Sequence, residues 1–71
     1  MMPLVLAPVG KTLKVLKCSL DEKTGKHLQN LGLIPGATVV VVREKDGDVI
    51  VQVKDSRIAL NKQLARKILV A

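Results

Sequence analysis

Four side chains of metal-ligand type fall close together in the chain: Cys18, Asp21, Glu22 and His27. A thiolate, an imidazole and carboxylates are the donors that hold divalent ions such as Fe2+ or Zn2+, yet a specific site also needs a defined ligand count and a supporting shell. The spacing here matches no common site. The expectation is therefore no resident metal or cofactor. Cys18 would pack as a small hydrophobe at the end of a strand, and His27 would border the apolar stripe of a helix. A weak Fe2+ or Zn2+ site through Cys18 or His27 is the competing expectation.

Covalent or acid–base catalysis finds no set of groups either. Hydroxyls are present at Thr12, Ser19, Thr24, Thr38 and Ser56, but His27 is the sole histidine. A carboxylate at position 23, 24, 30 or 31 would orient its ring from the same helix face, and those positions hold Lys, Thr, Asn and Leu. Neither GxxxxGK[ST] nor GxGxxG occurs, so phosphate cradling has no support. The chain reads as a binding module rather than an enzyme.

Charge bears on the partner. Twelve Lys plus Arg against six Asp plus Glu give a formal net charge of +6. The basic residues are scattered, and there is no Phe, Tyr or Trp on which an exposed base could stack. Nucleic acid is thus not the expected partner; an acidic protein surface is. One cysteine allows no internal disulfide, which suits a reducing compartment. The apolar start, Met1 to Val9, has no basic residue before it and contains Pro3 and Pro8. It is too short to span a bilayer and is a poor signal peptide, so the expectation is a cytoplasmic protein with no membrane insertion.

The elements that position these groups follow from periodicity. With 71 residues the chain has room for one domain, 1–71. Thr12 to Cys18 alternates until the pattern slips at Leu16, which predicts a strand with a bulge. Apolar or small residues at 20, 24, 27, 28 and 31 predict an amphipathic helix over 21–31, with Leu31 in the core and Ser19 or Asp21 as cap. Gly25 inside it has no evident reason. Pro35-Gly36 predicts a type II turn into a strand over 38–44. Asp46-Gly47 then predicts a hairpin into 49–54, and a second tight turn follows, with Asp55 as the residue suited to left-handed backbone. Arg57 to Leu60 is a further strand, Asn61 caps a short helix over 62–67, and Ile68 to Val70 closes as a strand. The predicted class is mainly β with short helices, curled into a small barrel because closure removes exposed edges. Half of Val39 to Val42 must point outward, either covered by the short helices or forming an apolar strip for docking.

Leu31-Gly32-Leu33-Ile34-Pro35-Gly36 also carries a resemblance. Together with Pro8, Gly10, Lys26, Leu28, the valine-rich strand, Ile58-Ala59-Leu60, Ala65, Ile68 and Val70, it makes the sequence similar to the ferrous iron transport protein A (FeoA) family from Pro8 to Val70. The same domain forms the C-terminal part of iron-dependent repressors. The resemblance implies an SH3-like β-barrel and a cytoplasmic accessory role beside FeoB, a membrane ferrous-iron transporter with a cytosolic GTP-binding domain. Two residues depart from the family pattern: Asp55, where glycine is frequent, and His27, where a basic or apolar residue is expected. On this reading the helix and the following turn present Lys26, His27, Asn30, Leu33 and Pro35 to an acidic surface of the transporter. The alternatives are a free-standing metal-responsive interaction domain and an RNA-binding SH3-like barrel; with no helix-turn-helix, DNA reading by that route is not expected.

Overall fold

The computed structural model describes all of residues 1–71. Strand β1 (Met2–Pro3) leads into a 3-10 turn at Leu4–Leu6, then β2 (Thr12–Cys18), helix α1 (Glu22–Asn30), β3 (Thr38–Lys45), β4 (Asp48–Val53), β5 (Ser56–Leu60), helix α2 (Lys62–Ala65) and β6 (Ile68–Val70). The strands form one six-stranded antiparallel sheet in the order β1-β6-β2-β3-β4-β5.

The alternating positions set the interior. Val39 and Val41 of β3, Val49, Val51 and Val53 of β4, and Ile58 and Leu60 of β5 are all buried, and no polar side chain joins them. The predicted slip at Leu16 is a bulge: β2 pairs with β6 through Val15 and then Lys17, leaving Leu16 exposed. The bulge lets one strand serve two neighbours, because its first half pairs with β3 and its second with β6. Val40 and Val42, on the outer face, are half-buried, so the outer valines are neither fully covered nor a bare strip.

Hydrogen bonding does not close the sheet into a continuous ring, which corrects the expectation of edge-free closure: β1 and β5 end the ladder. Helix α2 instead contacts β4, β5 and the 3-10 turn, and so spans the opening with side chains. Asn61 Oδ1 accepts from Leu64 N–H at 2.8 Å, and Asp48 Oδ1 accepts from Lys62 N–H at 2.8 Å, so α2 is capped and tied to the start of β4. The apolar N-terminal run, unassigned by periodicity, is part of the fold. Met2 pairs with Val70 and Pro3 with Leu69, and Leu4 is fully buried.

The turns follow their predicted chemistry with one exception. Asp46 and Gly47 both take positive φ, as a two-residue hairpin requires. The stem of Lys62 lies over Gly47, where an added Cβ would come within 2.7 Å of Lys62 Cγ. In the next hairpin Lys54, at φ 52°, carries the left-handed backbone, and Asp55 does not. The register pairs Val53 with Ser56, which makes Lys54 the first central residue of the turn.

The passage from α1 to β3 decides which leucines are core. Asp21 caps the helix by accepting from Thr24 N–H at 3.2 Å. At the other end Leu33 N–H donates to Leu28 C=O at 3.0 Å and Gly32 N–H to Gln29 C=O at 2.9 Å, with Gly32 at φ +94°. These bonds define a Schellman cap, whose usual apolar contact joins the residue after the glycine to one a turn back in the helix. Leu28 and Leu33 are those residues, and both are buried. Leu31, expected in the core, is 36% exposed, while Leu33, expected to face a partner, is only 2% exposed. The left-handed turn at Gly32 swings the chain back under the helix and exchanges the two roles. Gly25 has no packing reason to be glycine, since an added Cβ would sit 3.8 Å from Leu20 Cβ, an ordinary contact.

Leu33→Ala is expected to lower unfolding free energy by about 2–5 kcal/mol, and Leu31→Ala by under about 1 kcal/mol. Urea denaturation of the two variants checks this; equal losses would contradict the exchange of roles.

Candidate functional site

The exposed face of α1 and the turn after it carry the polar and apolar groups the fold does not use. Measured from the buried Leu28 at about 100° per residue, Lys26 and Asn30 project about 160° away, on the outer face. Lys23 shares that face and His27 stands at its edge; all four are exposed. Leu31 lies on the His27 flank, while Gly25 and Gln29 lie on the opposite flank.

The second part of the surface is apolar. The Pro35-Gly36 turn is the predicted type II turn, closed by Ala37 N–H donating to Ile34 C=O at 3.0 Å, with Gly36 at φ +92°. It lifts Ile34 and Pro35 into solvent, Ile34 being 41% exposed. Both residues line a groove beside Gly25 and Gln29 on one side and a groove beside Val40, Gln52 and Lys54 on the other. They form a ridge between two shallow depressions.

Of the residues expected to meet a partner, Lys26, His27 and Asn30 therefore sit together. Pro35 is exposed but lies toward the Gln29 flank, away from His27. Leu33 is excluded from any contact surface by its burial against Leu28. Lys23 and Ile34 complete the surface. Lys23, three residues before Lys26, was visible in the spacing, whereas Ile34 gains its place only through the Gly32 reversal.

The candidate ligand cluster is not assembled. No three His, Cys, Asp or Glu side chains come together anywhere in the fold. Asp21 is engaged in capping α1. Cys18 is half-buried at the end of β2, beside Leu20 and Leu33, and desolvation by burial pushes its thiol pKa up. A raised pKa disfavours the thiolate that would bind a metal.

These features define a small sheet module with two surface features, a basic helix face and an apolar ridge. The comparisons with known proteins agree with that class. The family model described as "FeoA domain" matches residues 2–71, and the chain belongs to that family. It is 34% identical over 70 residues to a Methanocaldococcus jannaschii protein named "Putative Fe(2+) transport protein A", covering 99% of this chain and 85% of that one. It is similar in structure to an iron uptake regulatory protein (FeoA), with a TM-score of 0.85, 30% identity, and coverage of 97% of this chain and 93% of that one. The zinc-complexed FeoA of Stenotrophomonas maltophilia, described as a prokaryotic SH3 domain protein, matches with a TM-score of 0.75 and 24% identity, covering 100% of this chain and 91% of that one. A manganese-dependent transcriptional repressor shares the fold over 38% of its own length, at 22% identity and a TM-score of 0.78. The fold is thus SH3-like, as the resemblance implied. No helix is long and apolar enough to cross a membrane.

The raised Cys18 pKa gives a linkage prediction. The folded chain holds the thiol proton at pH values where the unfolded chain releases it. The stability from Cys18 is therefore complete below the ordinary thiol pKa and falls as pH rises above it. From about pH 7 to about pH 10, the stability of the wild type relative to Cys18→Ala is expected to decline. Parallel curves in urea denaturation at each pH would contradict the burial of the thiol.

Proposed function

We propose that this chain is a non-enzymatic accessory protein of ferrous iron uptake, which docks on the cytosolic side of a FeoB-type GTP-dependent iron transporter and modulates it. Membership of the FeoA domain family and the relative named for Fe(2+) transport support the process. The observation that carries the docking is the face of α1. Lys23, Lys26, His27 and Asn30 are exposed side by side, and their side chains make no hydrogen bond within the fold. Positive charge there steers the chain toward an acidic surface, and the Ile34-Pro35 ridge supplies apolar contact area beside it.

Such an accessory acts by binding and not by chemistry. A rigid strand-and-helix frame holds the basic face in one geometry, so little ordering is lost on association. The docking reading is preferred to a free-standing metal-responsive domain because the donors that a metal would need, Cys18, Asp21, Glu22 and His27, are not gathered in the fold.

Lys26→Glu is expected to weaken binding to the purified transporter by about fivefold, about 1 kcal/mol, with a larger effect at low salt. The melting temperature should stay unchanged, because Lys26 is exposed on the outer face. Unchanged affinity, measured by titration against detergent-solubilised transporter, would contradict this surface.

A further inference from the structure

The last strand of the ladder carries an unfilled edge. β5 pairs only with β4, and apart from β4 only α2 packs substantially against it. The hairpin between them has the two-residue loop Lys54-Asp55, so the closing pair Val53/Ser56 exchanges hydrogen bonds. The pairs Val51/Ile58 and Val49/Leu60 follow in the same alternation. The N–H and C=O of Arg57 and Ala59 consequently point away from β4, and no other backbone group bonds to them. An edge of this kind is a template for one more strand.

Side chains beside the edge specify what that strand would contain. On the outer face Ala59 stands opposite Ile50 and Arg57 opposite Gln52. Ala59 and Ile50, with Leu64 of α2, line a groove of about 560 Å³ whose other wall includes Arg43 and Lys45. Arg57 is held in place: its Nε donates to Gln52 Oε1 at 3.0 Å, and Gln52 Nε2 donates to Lys54 C=O at 2.7 Å. The terminal nitrogens of the guanidinium are left for an incoming carboxylate. The nearby acids Glu44 and Asp48 already accept from Gly47 N–H at 2.8 Å and Lys62 N–H at 2.8 Å; Asp46 and Asp55 lie at the hairpin tips.

We propose that β5 is a docking edge for an extended acidic segment of another protein, which adds as a strand beside it. Side chains two apart in a strand share a face. The segment therefore places an Asp or Glu at Arg57 and, two residues away, an aliphatic side chain in the Ile50-Ala59-Leu64 groove. A second copy of this chain is disfavoured, because each copy carries +6 and brings its own Arg57 to the contact. The Arg57 end of this edge adjoins, through Gln52, the groove beside Ile34 and Pro35, whereas the Ala59 end lies beside α2.

The test uses the full chain, 15N-labelled, with two synthetic peptides, acetyl-Thr-Glu-Thr-Val-Thr-amide and its reverse order, at millimolar concentration. One of them should shift the amides of Arg57, Ala59 and Ile50 and slow hydrogen exchange at Arg57 and Ala59, with Arg57→Glu abolishing the effect. Ala59→Pro removes only an outward N–H, which an edge strand tolerates, and should reduce the shifts while the remaining spectrum stays folded. Three results would overturn the proposal. These are no change with either peptide, shifts confined to α1, and protection of Arg57 and Ala59 that grows with protein concentration without peptide, which would assign the edge to self-association. The transporter is absent from this experiment, so its failure leaves the proposed function untouched.

Discussion

The left-handed backbone at Gly32 governs the path between the longer helix and the sheet. A helix of nine residues is too short to be stable alone, so α1 persists through its caps and the burial of Leu28. Gly32 ends it, returns Leu33 beneath it against Leu28, and delivers the chain to the Pro35-Gly36 turn in the register β3 requires. Any residue with a Cβ is strained at φ +94°. The same reversal lifts Ile34 and Pro35 outward and leaves the Lys26 face of α1 unpaired. One backbone conformation therefore links the core to the proposed docking surface.

The absence of aromatic residues sets the second constraint. A core of sixteen small aliphatic residues fills space only where strands curl closely around it, and β-branched valine favours that geometry. The curl leaves the outer edges of β1 and β5 without a neighbouring strand, and the short helix α2 spans the opening with Leu64 and Ala65. Covering an opening with a helix hides apolar side chains but does not satisfy a strand edge. The outward groups of Arg57 and Ala59 remain as a consequence of how a chain this small encloses its core.

Much of the fold was legible because it is encoded locally. The Asp46-Gly47 hairpin, the Pro35-Gly36 turn, the Leu16 bulge and the Asn61 cap each depend on a few adjacent residues. The errors arose where distant chain decides. Met2 to Leu6 shows no periodicity of its own, since Pro3 interrupts it and its partner is β6 at the other end of the chain. Leu31 and Leu33 sit symmetrically about Gly32, and only the direction of the reversal tells which enters the core. Lys54 takes the left-handed position because the register of β4 with β5 puts it first in the loop. For the candidate site, the polarity of Lys26 and Asn30 marked them as exposed, with His27 expected at the border of the apolar stripe, whereas the displacement of Pro35 to the other flank needed the folded path.

The most direct measurement is an amide map of the 15N-labelled chain bound to the full transporter in detergent, repeated with the transporter's isolated GTP-binding domain. Line broadening centred on Lys23, Lys26, His27, Asn30 and Ile34, with the buried amides of β3 and β4 unaffected, is the predicted result. An unperturbed spectrum with both partners at concentrations well above micromolar, or broadening that spares α1, would contradict the docking of this face.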